Sequence, residues 1–143
     1  MIRIYEATEP SDLLAEAFAR LLPQLSERMT APDREAVARI VASPATRQLV
    51  AAAEDGRIVG LLSVALYDVP SGRKAWIEDV VVDAATRGRG IGEALVREAL
   101  ALARREGVAR VMLTSNATRR ASHRLYERMG FVRYETDCFR LDL

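Results

Sequence analysis

"VVVDAATRGRGIGEALV", residues 80–96, decides how this chain is read. Three valines lead to Asp83, then Gly88, Gly90 and Gly92 alternate with Arg89 and Ile91, and a helical pattern begins. Glycine loses the most freedom on ordering and favours neither strand nor helix. Three alternate glycines where a buried strand becomes a helix let the backbone come close to a ligand. The first N–H groups of that helix lack intrahelical partners, and the helix dipole adds about half a positive charge there. The expected guest is an anion, a phosphate or pyrophosphate, helped by Arg87 and Arg89.

Composition narrows the setting. The chain has 143 residues, 50% hydrophobic and 29% charged, with a formal net charge of +1. That fits one soluble globular domain over residues 1–143, with enough chain to bury a core. There is no basic field to hold nucleic acid. No apolar run approaches the ~18 residues of a membrane span, and the first residues, "MIRIYEATEPSD", carry no apolar leader. With one cysteine, the expected compartment is the reducing cytoplasm. One Cys138 and one His123 make no thiolate–imidazole metal site, so no metal is expected. Cys138 reads as a packing residue and His123 as a solvated one.

The chain alternates in character. "IRIYEA" (2–7) reads as a strand, and Leu14, Phe18, Leu21 or Leu22, and Leu25 mark a first helix that Pro23 should kink or split. Residues 31–43 read as a second helix, with Pro32 near its first turn. Two apolar runs flank Asp55-Gly56, a hairpin signal, and "KAWIEDVVVD" (74–83) is the next strand. A helix from Ile91 to about Arg105 turns Leu95, Ala99, Leu102 and Ala103 inward. "ARVMLTSN" (109–116) reads as a buried strand, and "TRRASHRLYERMG" as a helix with Ala121, Leu125 and Met129 inward and Tyr126 beside them. "FVRYETDCFRLDL" reads as a closing hairpin. The helix of 91–105 makes its flanking strands parallel, while the hairpins are antiparallel. The fold class is a single-domain α/β mixed sheet.

Three phosphate-binding patterns compete for the glycine turn. A Walker turn needs Gly-Lys-Ser/Thr, and no lysine follows these glycines. The dinucleotide fingerprint needs glycine at 93, where Glu93 stands. The pattern Arg/Gln-x-x-Gly-x-Gly/Ala is met by Arg87, Gly90 and Gly92. With "WIEDVVVDAATRGRGIGEALV", "LTSN" and "SHRLYERMGF", the chain resembles the GNAT superfamily of N-acetyltransferases over nearly its whole length. The resemblance implies a GNAT-like topology whose central parallel strand pair is splayed around acyl-CoA. It implies acetyl-CoA as donor, the pyrophosphate on Arg87, Gly88, Arg89, Gly90, Ile91 and Gly92, and the pantetheine arm on the backbone of Val80, Val81 and Val82. Asn116 would hold the pantetheine amide, with helix capping as its other role.

Acetyl transfer to an amine poses three problems. An alkylammonium of pKa ~10.4 must lose a proton, a tetrahedral intermediate needs donors for its oxyanion, and a thiolate of pKa ~8.5 must leave. Glu78 and Asp79 are the visible bases. Strict alternation puts Trp76, Glu78, Val80 and Val82 on one strand face and Ile77, Asp79 and Val81 on the other. Some members of the resembled family have a glutamate near the amine at the Glu78 position, which makes Glu78 base or water relay; Asp79 and salt bridging are the alternatives. The family's tyrosine falls on Tyr126, which would bond the departing thiolate unless it is only a core residue.

Specificity in the family lies in the first helices and the C-terminal hairpin, here "PQLSERMTAPD" and "RYETDCF". Glu27 or Asp33 would attract a cationic amine or would simply be solvated. The acceptor, a small-molecule or peptide amine, is not named by the residues, and a homodimer fits as well as a monomer. The other class of function is a catalytically silent acyl-CoA-binding regulatory module.

Overall fold

The structure, a computed structural model, describes residues 1–116 and 118–143. The elements run β1 (Arg3–Ala7), α1 (Asp12–Leu25), α2 (Arg34–Ala42), β2 (Thr46–Ala52), β3 (Ile58–Val69), β4 (Gly72–Val82), α3 (Ile91–Arg105), β5 (Val111–Met112) and α4 (Arg120–Arg128). The strands form one five-stranded sheet in sequence order. β1 to β4 pair antiparallel, and β4 pairs β5 in parallel across the α3 crossover. Among the described residues no helix is long and apolar enough to cross a membrane.

Local chemistry sets the ends. The Ser11 hydroxyl accepts from the Leu14 N–H at 3.1 Å to start α1, and Asp33 accepts from the Ala36 N–H at 2.8 Å to start α2, so Pro32 lies before that cap. Pro23 does not split α1, which runs unbroken to Leu25. Its ring removes the bond to the Ala19 carbonyl, one bond near the end of the helix, and α1 stops two residues later. Asp55-Gly56 makes the expected hairpin turn between β2 and β3, with Gly56 at φ +87°.

Each face of the sheet carries its own core. Leu62, Val64 and Ile77 pack under Leu95, Ala99 and Leu102 of α3. On the other face Val50, Leu61 and Val81 pack under Leu14, Phe18 and Val37 of α1 and α2. Leucines as buried as Leu21, Leu62 and Leu95, each 0% exposed, contribute about 2 kcal/mol apiece by leaving water.

One irregularity interrupts the β3–β4 ladder. Ser63 pairs Glu78, but Leu61 pairs Val81, so β4 takes three steps where β3 takes two. Asp79 is the inserted residue, at φ +49°. This β-bulge overturns strict alternation: Ile77 and Val81, expected on one face, lie in opposite cores, and Val80 and Val82 pack on the α3 side with Ile77.

The chain's end also departs from expectation. Residues 131–143 form no strand, and β5 is two half-buried residues long rather than a buried run over 109–116. A strand needs a neighbour for its N–H and C=O groups. Among the described residues the bulged β4 has no register partner on β5 beyond Trp76↔Met112, and no second hairpin supports β5 from outside. Cys138 is exposed rather than packed, and so is Ala121. Leu125, Tyr126, Met129 and Phe131 do pack against the α3-side core.

Candidate active site

The glycine turn sits at the end of β4 and is anchored from behind. Asp83, 8% exposed, accepts from Arg20 Nη1 at 3.1 Å, from Gln24 Nε2 at 3.4 Å and from the Ala85 N–H at 3.2 Å. Gln24 Oε1 in turn accepts from the Ala84 N–H at 2.8 Å, and Arg20 Nη2 donates to the Ile58 carbonyl at 2.7 Å. Burial pushes the Asp83 carboxyl up, but the Ala85 N–H, Gln24 and Arg20 more than reverse this and hold it below the ordinary carboxylate range. Helix α1 therefore fastens the turn to the sheet.

The outer face of the turn is open. Gly88 and Gly90 adopt φ +82° and +75°, and a Cβ on either would meet no atom within 4 Å. Backbone conformation, not crowding, requires glycine there, and the space above it is free for a ligand. Gly90 caps α3 with no side-chain hydrogen bond, so the first N–H groups of a 15-residue helix face outward unpaired by any cap. Arg87 and Arg89 are exposed and form no ion pair among the described residues. A Cβ on Gly92 would lie 3.3 Å from Leu125 Cδ2 and 3.8 Å from Val82 Cγ2, so the α3 start, the β4 end and α4 converge. Ile91 and Val81 are core residues by side chain, with only their backbone available. The arrangement fits a pyrophosphate on the turn and an extended amide arm along β4, whose Ile77–Val82 segment has no strand neighbour on the β5 side among the described residues.

On the α1–α2 face lies a cavity of about 460 Å³ walled by Phe18, Leu22, Met29, Ile40 and Leu61, with Glu78 and Asp79 together at one side. The two carboxylates were expected on opposite faces; the bulge at Asp79 turns both into this cavity. Desolvation, and then the charge of Asp79, hold the Glu78 carboxyl above the ordinary range. Beside them Ser63 Oγ donates to Gln48 Oε1 at 2.7 Å, and Gln48 Nε2 donates to the Leu49 and Leu62 carbonyls.

Tyr126 is on the other side of the sheet. Its ring meets Phe131 edge-on, centroids 5.8 Å apart, and burial pushes its hydroxyl pKa up, Arg119 only partly opposing. The hydroxyl makes no hydrogen bond among the described residues. Asn116 is turned toward its own loop: Oδ1 accepts from the Thr118 N–H at 3.0 Å and Thr118 Oγ1 at 2.9 Å, and its carbonyl accepts from His123 Nε2 at 2.9 Å. His123 is thus a loop fastener rather than a free solvated ring. Glu27 is exposed and Asp33 caps α2; neither lines the cavity. Of the two expected specificity segments, Met29, Thr30 and Pro32 of the α1–α2 loop do line it, and residues 133–139 do not.

Phe18, Ile40, Gln48 and Ser63 were missed in the sequence because four separated elements, α1, α2, β2 and β3, bring them together. Gln48, polar within "RQLVAAA", and Ser63, polar within "GLLSVAL", were the local signals.

Comparison with known proteins agrees with this geometry. The pattern of the Acetyltransferase (GNAT) family matches residues 8–131. A glucosamine 6-phosphate N-acetyltransferase of Trypanosoma brucei brucei is 40% identical over 91 residues, 62% of this chain and 59% of that protein, so the match spans a little over half of that relative. Glucosamine 6-phosphate N-acetyltransferase 1 of Oryza sativa subsp. japonica is 35% identical over 127 residues, 83% of this chain and 75% of that one. The crystal structure of a Trypanosoma brucei acetyltransferase superposes with a TM-score of 0.80 at 31% identity, covering 100% of both chains.

Proposed function

This chain belongs to the acetyltransferase (GNAT) family, and on that premise we propose that it moves an acetyl group from acetyl-CoA directly to a primary amine. The donor, when bound, supplies an activated thioester. Arg87, Arg89 and the N–H groups from Gly88 to Gly92 hold its phosphates, the backbone of Val80 to Val82 bonds its amide arm, and the Asn116 side-chain NH₂, which the Asx turn leaves free, reaches the same arm.

The observation that carries this is the gap between β4 and β5 beyond Trp76↔Met112, with acids on one face and a phenol on the other. The amine enters from the cavity side, and Glu78, raised above the usual carboxylate range, takes the ammonium proton directly or through water. The amine nitrogen bonds the thioester carbon, whose carbonyl electron pair moves to oxygen in a tetrahedral intermediate; as the carbonyl reforms the C–S bond breaks and its electron pair leaves on sulfur. Tyr126 bonds that thiolate and shares its proton late. At its ordinary ~10 against ~8.5 the phenol is already the weaker acid, and burial widens the gap.

The relatives' names put glucosamine 6-phosphate among the candidate acceptors. Release of CoA against an amine panel, with acetyl-CoA affinity measured beside that of ATP and NAD, tests the proposal. Acetyl-CoA binding without release from any amine would favour a silent binding module, and tighter ATP binding would overturn the donor. For assembly we propose a homodimer in which the tail of one copy covers the open β5 edge of the other. What supports it is that edge, together with Val132, Phe139 and Leu141 left 86%, 89% and 83% exposed. Light scattering of the full chain and of a Phe139→Asp, Leu141→Asp variant decides it; a wild-type monomer refutes it.

A further inference from the structure

We infer that the acceptor is a cationic amine on an apolar body, and that a sugar phosphate is a poor fit; this rests on the acetyl-transfer reading. The cavity's walls are mostly hydrocarbon, from Phe18, Leu22, Met29, Ile40 and Leu61, and its volume of about 460 Å³ is that of a small-ligand pocket. Among the described residues its only charges are the carboxylates of Glu78 and Asp79, and no lysine, arginine or histidine lines it. The buried Gln48 and half-buried Ser63 already bond each other, and Gln48 the strand carbonyls, so the hydroxyls of Thr30 and Thr46 are the main polar groups left for a ring of hydroxyls. Register extends the apolar wall further. Ala65 pairs Trp76, on the Glu78 face, and Trp76 Nε1 donates to Tyr67 Oη at 2.7 Å, fixing an aromatic pair beside the cavity.

Two adjacent carboxylates without a cation repel each other, and a bound ammonium relieves that repulsion. A phosphate dianion placed in the same space adds to it and loses its water with no donor cation in return. A hydrocarbon body gains by leaving water against these walls, while a sugar leaves its hydroxyls unmatched.

The test compares 2-phenylethylamine, glucosamine and glucosamine 6-phosphate. CoA release gives kcat/KM, and calorimetry on the protein loaded with CoA gives amine affinity apart from turnover. We expect 2-phenylethylamine to exceed glucosamine 6-phosphate at least tenfold in both. Ala65→Leu should raise the KM for 2-phenylethylamine about tenfold at unchanged acetyl-CoA affinity, which also reports that the variant folds. Thr30→Arg, on the exposed loop at the cavity, should shift preference toward glucosamine 6-phosphate. A wild-type preference for glucosamine 6-phosphate overturns the inference and leaves acetyl transfer standing. If no amine releases CoA, acetyl transfer falls, and equal or tighter binding of the sugar phosphate by calorimetry overturns this inference as well.

Discussion

Changing Gly90 to alanine should lower folding stability by about 1–2 kcal/mol, the strain of an L-residue held in the left-handed region where Gly90 sits at φ +75° and ψ 16°. No crowding adds to this, because the new Cβ meets no atom within 4 Å. In a chain of this length the loss should appear as a drop of about 2–8 °C in melting temperature. The second effect is on the donor. A methyl on the open face of the turn holds the phosphates off the α3 N–H groups, and losing one charge-assisted bond of about 1.5–3 kcal/mol weakens acetyl-CoA binding roughly 10- to 150-fold. Gly56→Ala separates the two effects. Gly56 has φ +87° and the same empty surroundings, but it lies in the β2–β3 hairpin turn. It should reproduce the stability loss and leave affinity untouched. Chemical denaturation and calorimetry with acetyl-CoA read both quantities. Equal acetyl-CoA affinity in the two variants would refute the turn as the phosphate site, and a Gly90→Ala variant as stable as wild type would refute the strain.

Three further outcomes are expected. Glu78→Gln should lose turnover most on the acid side of neutrality but above the raised Glu78 value, where the wild-type carboxylate is ionised and the amine still protonated, the deficit narrowing toward the amine's own pKa of ~10.4. Because the folded pKa is raised, ionisation of Glu78 opposes folding as pH climbs through it, so the variant should melt no lower than wild type at neutral pH. An unchanged pH–rate profile moves the base role to Asp79 or water. Tyr126→Phe should cut turnover ~10²-fold with acetyl-CoA affinity and melting temperature little changed, and full turnover would make the hydroxyl structural. Asp83→Ala should destabilise by roughly 2–3 kcal/mol, less than a fully buried pair because Arg20 keeps Glu16. Since the Asp83 carboxyl is depressed, its contribution is present above the unfolded value near ~3.9 and lost as pH falls through the folded one, so wild type and variant should converge in acid.

How much of this was legible depends on whether the cause was local. The bounds of α3, Ile91–Arg105, followed from helical spacing and the glycine before it. The Asp55-Gly56 turn followed from its residues. The bulge did not, because a period-two pattern assumes no inserted residue, and an aspartate, although it tolerates φ +49° better than most side chains, adopts it in only a small share of cases. Its only trace was two acids side by side in an apolar strand, which is why Glu78 was found and the shared cavity was not. The closing hairpin failed differently: "FVRYETDCFRLDL" has strand-like residues throughout, but pairing depends on a neighbour that the sequence of one segment cannot specify.

Helix α1 touches both proposed sites. Its Arg20 and Gln24 grip the turn through Asp83, and its Phe18 and Leu22 wall the cavity. Whatever occupies the turn thus bears on the wall of the other site, and thermodynamic linkage makes the influence mutual and equal in size. Donor first and amine second is the sequence of addition this favours, since a turn steadied by its phosphates leaves less of α1 to be ordered by a small amine. On the proposed acetyl transfer, steady-state product inhibition would then be competitive for CoA against acetyl-CoA and noncompetitive against the amine, a kinetic order traced to a salt link behind a glycine turn.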